Sequence, residues 1–266
     1  MTRKRLLDGA RIVVGLLVLV AIFAALQGNW DKVAPELARL SWVSLGGAFL
    51  LALVAPWLTL VGWRVLLADL GTPLPLPSSA SVFFVGQLGK YLPGSVWSIA
   101  VQADMGGRLG VPRRTLGVAG LLNIALAALT GTLVGLPAVP LLLRRAPEDA
   151  VSPWWVVLAI LLAVVVLWPR LLNALLDRGL RLLGRQPLPQ PLSARALATT
   201  VVFFVGAWVA MGAAAWVLAA GLAPDVEGRT LFLAAVCGFC LAAAIGIDFL
   251  GTPTARTAAL EQVKLF

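Results

Sequence analysis

The sequence predicts an all-α integral membrane protein, a polytopic helical bundle of about six transmembrane spans plus one re-entrant broken-helix hairpin. Three observations predict it. Of the 266 residues, 60% are hydrophobic and only 12% are charged, about half the charged fraction of a soluble domain. The apolar residues gather into runs long enough to cross a bilayer, and the charges lie between them. One of these runs, Ser81 to Trp97, is broken by Gly86, Gly89, Pro93 and Gly94 and carries Lys90 at its middle. Broken backbone survives at membrane depth only where it is buried in protein or lines a wet cavity. A central lysine costs about 3 kcal/mol on insertion scales unless it is paired or solvated.

Taken in order, the chain opens with Arg3, Lys4, Arg5 and Arg11 ahead of a first span over 12–26. A clear small-residue cleavage site is missing, so this reads as a retained span and not a signal peptide. Segment 29–42 puts Trp30, Val33, Leu37 and Leu40 on one helical face, the pattern of a helix lying along the interface. The second span, 43–62, is bracketed by Trp42 and Trp63 as aromatic-belt anchors, with Pro56 as a kink and Arg64 just beyond. A Pro-rich connector, 71–77, leads into the broken stretch, and Gly110-Val-Pro-Arg-Arg114 reads as a turn after it. The third span covers 116–137 and contains the small-xxx-small pattern Gly131-Thr-Leu-Val-Gly135. The fourth, 154–168, has a tryptophan at each end.

Segment 171–184 is two-faced: seven leucines fill half the wheel, and Asn173, Asp177, Arg178 and Arg181 fill the rest. With Arg185 and Arg195 nearby, it reads either as a basic helix on an anionic leaflet or as a cytosolic extension of the fourth span. The fifth and sixth spans cover 196–222 and 231–250, joined by a short loop with Asp225 and Glu227.

Charge placement decides how the broken stretch sits. If 81–101 enters and leaves on the same side, fifteen Lys and Arg lie inside: the four N-terminal ones, Arg64, three at 108–114, five at 170–195 and two in the tail. Five lie outside (Lys32, Arg39, Arg144, Arg145, Arg229), with Lys90 in the membrane. If the stretch crosses once, the count becomes eight inside and twelve outside. The positive-inside rule prefers the first arrangement. It also accounts for the net charge of +9 without a nucleic-acid partner, because the basic residues flank apolar runs and form no basic domain.

Several chemistries are excluded or disfavoured. The chain has no histidine, which removes His triads, His acid–base work and His metal ligation. Cys237 and Cys240, the two cysteines, have no partner ligands near them in sequence and read as small residues on a packed helix. The spans hold no paired carboxylates either, so the expectation is that the protein is no enzyme and uses no cofactor or metal.

Gly86-Gln-Leu-Gly-Lys-Tyr-Leu-Pro-Gly-Ser-Val-Trp97 resembles the Gly-Lys-Tyr-x-Pro-Gly signature of the lysylphosphatidylglycerol synthase transmembrane, or flippase-like, family, and the span pattern is similar to about residue 247. The resemblance implies movement of a lipid with a charged or glycosylated headgroup between leaflets. It implies no aminoacyl-lipid synthesis, because the soluble lysyl-transferring domain is absent. A second family motif, of the Pro-Ala-Gly-x-Gly-x-Arg-Glu kind, is also missing: the chain runs Ile247-Asp-Phe-Leu-Gly-Thr-Pro-Thr-Ala-Arg256 instead. The expected domains are therefore a flippase-like transmembrane unit over 1–250, with its re-entrant segment at 80–104, and a polar tail over 251–266 of the kind a truncation or frameshift leaves.

On this reading the headgroup phosphate needs cations or helix N-termini. Lys90 is the candidate phosphate ligand, although it equally reads as a side chain snorkelling from a shallow dip. Pro93-Gly94 makes the turn, and Ser95, Val96 and Trp97 offer backbone N–H groups at the start of a second half-helix. Gln87 and Tyr91 are candidates for headgroup hydroxyls, with Gln102 further along. Tyr91 and Trp97 also read as belt anchors. Arg64 and Asp104 are placed at the cytoplasmic mouth, where Asp104 would pair with Lys90 or Arg108.

Two functions follow. The first is a carrier for a phospholipid or polyprenyl-phosphate lipid in the cell membrane, with a cytoplasmic N-terminus. The second is a non-transporting scaffold for a cell-envelope glycosyltransferase or lipid synthase. In both, membrane lipids are the partners.

The repeated pentapeptide Val82-Phe-Phe-Val-Gly86 and Val202-Phe-Phe-Val-Gly206 raises the idea of an inverted repeat, common in transporters. Coincidence among common membrane residues explains it as well.

Overall fold

The computed structural model describes residues 30–89, 96–138, 168–182, 184–188 and 190–222, together with positions 24, 27, 28, 161, 232 and 236. Most of the predicted spans 12–26, 154–168 and 231–250, Cys237 and Cys240, and the tail 251–266 lie outside these residues, as do Lys90, Tyr91, Gly94 and Ser95.

Among the described residues every regular element is helical. In chain order they are α1 (Trp30–Arg39), α2 (Trp42–Asp69), α3 (Leu76–Leu88), α4 (Val96–Arg108), α5 (Arg113–Gly135) with a short 3₁₀ turn at Leu136–Ala138, α6 (Pro169–Leu182) and α7 (Ala194–Leu222). Three of them, α2, α5 and α7, are long and apolar enough to cross a membrane. They coincide with the second, third and fifth predicted spans.

The frame is the antiparallel pair α2 and α7, the most extensive helix contact among the described elements. Small residues let the two backbones approach. At one end Thr200 Oγ1 donates to the Gly62 carbonyl at 3.2 Å, and a Cβ on Gly62 would lie 2.5 Å from the Phe204 ring. Midway, Ala55 packs with Ala207 and Ala210. Close approach through small residues is how membrane helices associate when lipid removes the hydrophobic driving force. The outer face of α2 keeps Phe49 and Leu50 each 64% exposed, with Leu53, Val54 and Trp57 close to half exposed. A soluble monomer rarely shows so broad an apolar face, and lipid is its natural solvent.

α2 runs to Asp69, seven residues beyond the predicted end of the second span. Trp63, expected as a belt anchor, is fully buried with its ring 5.6 Å from that of Phe83. Trp42, its predicted counterpart, is 88% exposed. The sequence could not separate them, because a tryptophan near the end of an apolar run fits either place. Tertiary packing of α3 decided it.

α3 and α4 have 13 residues each, about 20 Å of helix against about 30 Å of hydrocarbon. They pack on each other as a hairpin, and α4 packs antiparallel on α5. Both open ends of the hairpin lie at the same end of the bundle. There Arg64 Nη2 donates to the Leu74 carbonyl ahead of α3 at 3.3 Å, and Arg113 Nη2 contacts the Asp104 carboxylate near the end of α4 at 3.2 Å. The start of α7 joins them: Ser193 donates through its N–H and hydroxyl to the Asp69 carboxylate at 2.6 and 2.8 Å. Arg114 Nη1 also reaches Gln186 Oε1 at 3.0 Å. The hairpin therefore enters and leaves at one end, the arrangement that the charge count selects.

Glycine caps make the tight turns at this end. After α2 and α4, Gly71 and Gly110 both take φ 84°. The next residue donates back five positions in each case, Thr72 to Leu67 and Val111 to Gly106, both at 3.1 Å. This is the Schellman pattern, which needs a left-handed residue and so favours glycine.

α6 is amphipathic as predicted, with one difference. Leu172 and Leu180 are buried in the core, but Asn173 does not belong to the solvent face. Its side chain donates to the Leu192 carbonyl and accepts the Leu192 N–H, each at 2.8 Å, and so clamps α6 to the lead-in of α7. The two Val-Phe-Phe-Val-Gly copies, in α3 and α7, both pack on α2, and both helices start at the charged end. They run in the same direction, so the pentapeptides are not related as an inverted repeat would be.

Candidate functional site: the α3–α4 hairpin and its seam with α5

Three helices meet where the hairpin lies on α5, and glycines set the spacing. Gly86 on α3 faces Gln102 on α4 so closely that a Cβ there would collide with the Gln102 side chain. On the other side, a Cβ on Gly120 of α5 would lie 3.1 Å from Ile99 and 3.6 Å from Gln102 Oε1. Near the charged end, a Cβ on Gly106 would sit 2.5 Å from a Leu116 methyl. The Gln102 carboxamide therefore occupies a slot between two glycine-bearing helices, with only 3% of the residue exposed.

That slot leaves polar atoms without partners. Gln102 Oε1 is buried and accepts no hydrogen bond, and the same is true of Asn123 Oδ1 on α5. Buried carboxamides without partners are costly in any apolar setting, so a seam holding two of them is a place where something else supplies donors. On α2, beside the start of the hairpin, Trp63 Nε1 and Arg64 Nε are also buried and unpartnered.

The candidate residues divide into three groups. Gln102 stands at the centre of the seam, and Gln87, half-buried, follows Gly86 at the end of α3. Arg64 and Asp104 share the charged end. Arg64 is committed through Nη2 to Leu74, and Asp104 pairs with Arg108 at 2.7 Å and with Arg113 at 3.2 Å. The pairing with Arg108 was one of the two expected, and Arg113 was not foreseen. Lys90, Tyr91, Gly94 and Ser95 lie outside the described residues, and of Trp97 only the helical backbone at the start of α4 is described.

Sequence reading passed over Asn123. The signal was available: a lone asparagine inside Leu121-Leu-Asn-Ile-Ala-Leu126 is a polar residue within a span, which is a functional candidate by default. Apart from the hairpin, an apolar cleft of about 340 Å³ lies between α2 and α7, with Ala48, Ala52, Met211 and Ala214 in its walls.

Comparison with known proteins agrees with the motif. No curated protein and no solved structure gives a significant match. The model of the lysylphosphatidylglycerol synthase TM region family matches residues 10–255, nearly the whole chain. The protein therefore belongs to this family, a multi-pass helical membrane protein with a role connected to membrane lipids.

Proposed function

We propose that the protein is a carrier, and not an enzyme, which moves a phospholipid or polyprenyl-phosphate lipid between leaflets of the cell membrane, with its N-terminus cytoplasmic. The observation that carries this reading is the hairpin. Two half-length helices, joined through the Gly-Lys-Tyr-Leu-Pro-Gly segment, enter and leave at the basic end and bury the unpartnered carboxamide of Gln102 against α5, which carries a second at Asn123. A charged headgroup crossing the membrane needs a polar path, and its tails need an apolar side open to lipid. The hairpin seam supports the first requirement, and the apolar cleft between α2 and α7 suits the second. Lys90 is proposed as the phosphate ligand, with Gln87, Tyr91 and the α4 N-terminus around Ser95 and Trp97 completing the headgroup contacts.

The test is reconstitution into vesicles with headgroup-labelled fluorescent lipids. The parent protein should translocate lipid well above empty vesicles, and Lys90→Ala should reduce the rate by at least tenfold. Equal rates for parent, variant and empty vesicles would end the carrier reading.

A second reading, a scaffold for a cell-envelope glycosyltransferase or lipid synthase, draws on α6. Its outer face alternates exposed Arg170, Arg178 and Arg181 with exposed Leu171, Leu175 and Leu182. A scaffold would co-purify a protein partner through this face and leave lipid translocation at background.

A further inference from the structure

Gln102 and Asn123 are both more than nine-tenths buried, at 3% and 6% exposure. Both present a side-chain oxygen that accepts no hydrogen bond. They belong to one seam. Gln102 Oε1 lies 3.6 Å from the Cβ position of Gly120, and Asn123 stands three residues beyond Gly120, on the next turn of the same side of α5. Gly86 and Gly120 together hold open the space that the Gln102 carboxamide fills. Larger residues at either position would displace the amide.

What these atoms lack identifies what they would take. A carboxamide oxygen is a pure acceptor, and a phosphate oxygen is an acceptor too, so a bare phosphate leaves these two oxygens unpartnered. An ammonium or hydroxyl group supplies the missing donor. We infer that the Gln102–Asn123 seam is a binding site for the hydrogen-bond donors of a lipid headgroup, the part beyond the phosphate, and that it selects donor-bearing headgroups over donor-free ones. For the origin of its ligand this rests on the carrier reading, but its test reads binding and not transport.

The experiment uses the full-length protein in detergent micelles, titrated with short-chain lipids in matched pairs. Phosphatidylethanolamine and phosphatidylcholine share charge but differ in N–H donors. Phosphatidylglycerol and phosphatidylethanol are both anionic but differ in free hydroxyls. Apparent affinity is read from the lipid-dependent shift in melting temperature and from native mass spectrometry.

The donor-bearing member of at least one pair should bind about tenfold more tightly, the scale set by one satisfied buried acceptor. Which pair discriminates tells an ammonium ligand from a hydroxyl ligand. Gln102→Met and Asn123→Leu, tested separately, should each reduce that ratio towards one while leaving the donor-free lipid's affinity in place. Equal binding of both members of both pairs by the parent overturns the inference without recourse to a variant. So does a parent preference that both variants keep. Headgroup-selective binding without translocation would sink the carrier and spare the site, and translocation without selectivity would do the reverse.

Discussion

The α2–α7 pair and the α3–α4 hairpin meet on one helix and follow opposite rules. α2 and α7, with 28 and 29 residues, are each longer than a bilayer needs, and they pack along their full length through Gly62, Ala55, Ala207 and Ala210. Polar contacts between them are few, and their outer faces are made for lipid. α3 and α4 are too short to cross, turn back at a Gly/Pro-rich link, and bury Ser79, Ser98 and Gln102. The repeated Val-Phe-Phe-Val-Gly pentapeptide makes the contrast concrete. Within α7 Gly206 only brings α2 close, with Leu58 3.4 Å from its Cβ position, while within α3 Gly86 makes room for a carboxamide. Identical local sequence thus serves a lipid-facing span in one case and a polar slot in the other, and the neighbour across the interface makes the difference.

Six substitutions, in four experiments, sharpen that comparison. The largest effect is expected for Trp63→Ala, which empties a fully buried ring site shared by α2 and α3. It should cost about 3–5 kcal/mol in unfolding measured in mixed micelles, whereas Trp42→Ala should change stability little. A similar small cost for both would return Trp63 to the membrane interface.

Next comes the glycine pair. Gly86→Ala forces Gln102 from its slot and should cost about 1–3 kcal/mol. Gly206→Ala meets only ordinary contact and should stay within about 0.5 kcal/mol of the parent. Equal effects would erase the distinction between the two pentapeptides.

Ser193→Ala removes the hydroxyl contact to Asp69, while the backbone N–H contact stays, and it removes the cap on α7, where Ser193 Oγ accepts the Ala196 N–H at 3.1 Å. A loss of about 1 kcal/mol is expected, and retention of full stability would show that α7 starts without that cap. The smallest effect belongs to Asp104→Asn. Its partners Arg108 and Arg113 are largely exposed, so stability should change by under about 1 kcal/mol and the change should shrink with added salt. A larger, salt-independent loss would mean that this end of the hairpin is sealed from water.

Much of this molecule was legible from composition and spacing alone. Runs of apolar residues set α5 and α7 within a few residues and located α2 but not its last two turns, because a span needs about 20 of them. The breakers at Gly86, Gly89, Pro93 and Gly94 pointed to a turn within 81–101, and the asymmetry of Lys and Arg summed over the loops favoured its entering and leaving on one side. The Gly-Lys-Tyr-Leu-Pro-Gly motif led to the family. Tertiary structure alone decided which side chains meet. It buried Trp63 against Phe83, turned Asn173 inward to Leu192, gave Asp104 a second arginine from across a turn, and brought Gly86 of α3 and Gly120 of α5 to either side of Gln102. Helical periodicity reports that a side chain faces another helix, but it does not say which one. In an apolar chain nearly every face has an apolar option, so partner choice rests on backbone approach, and that exists only once the helices are packed.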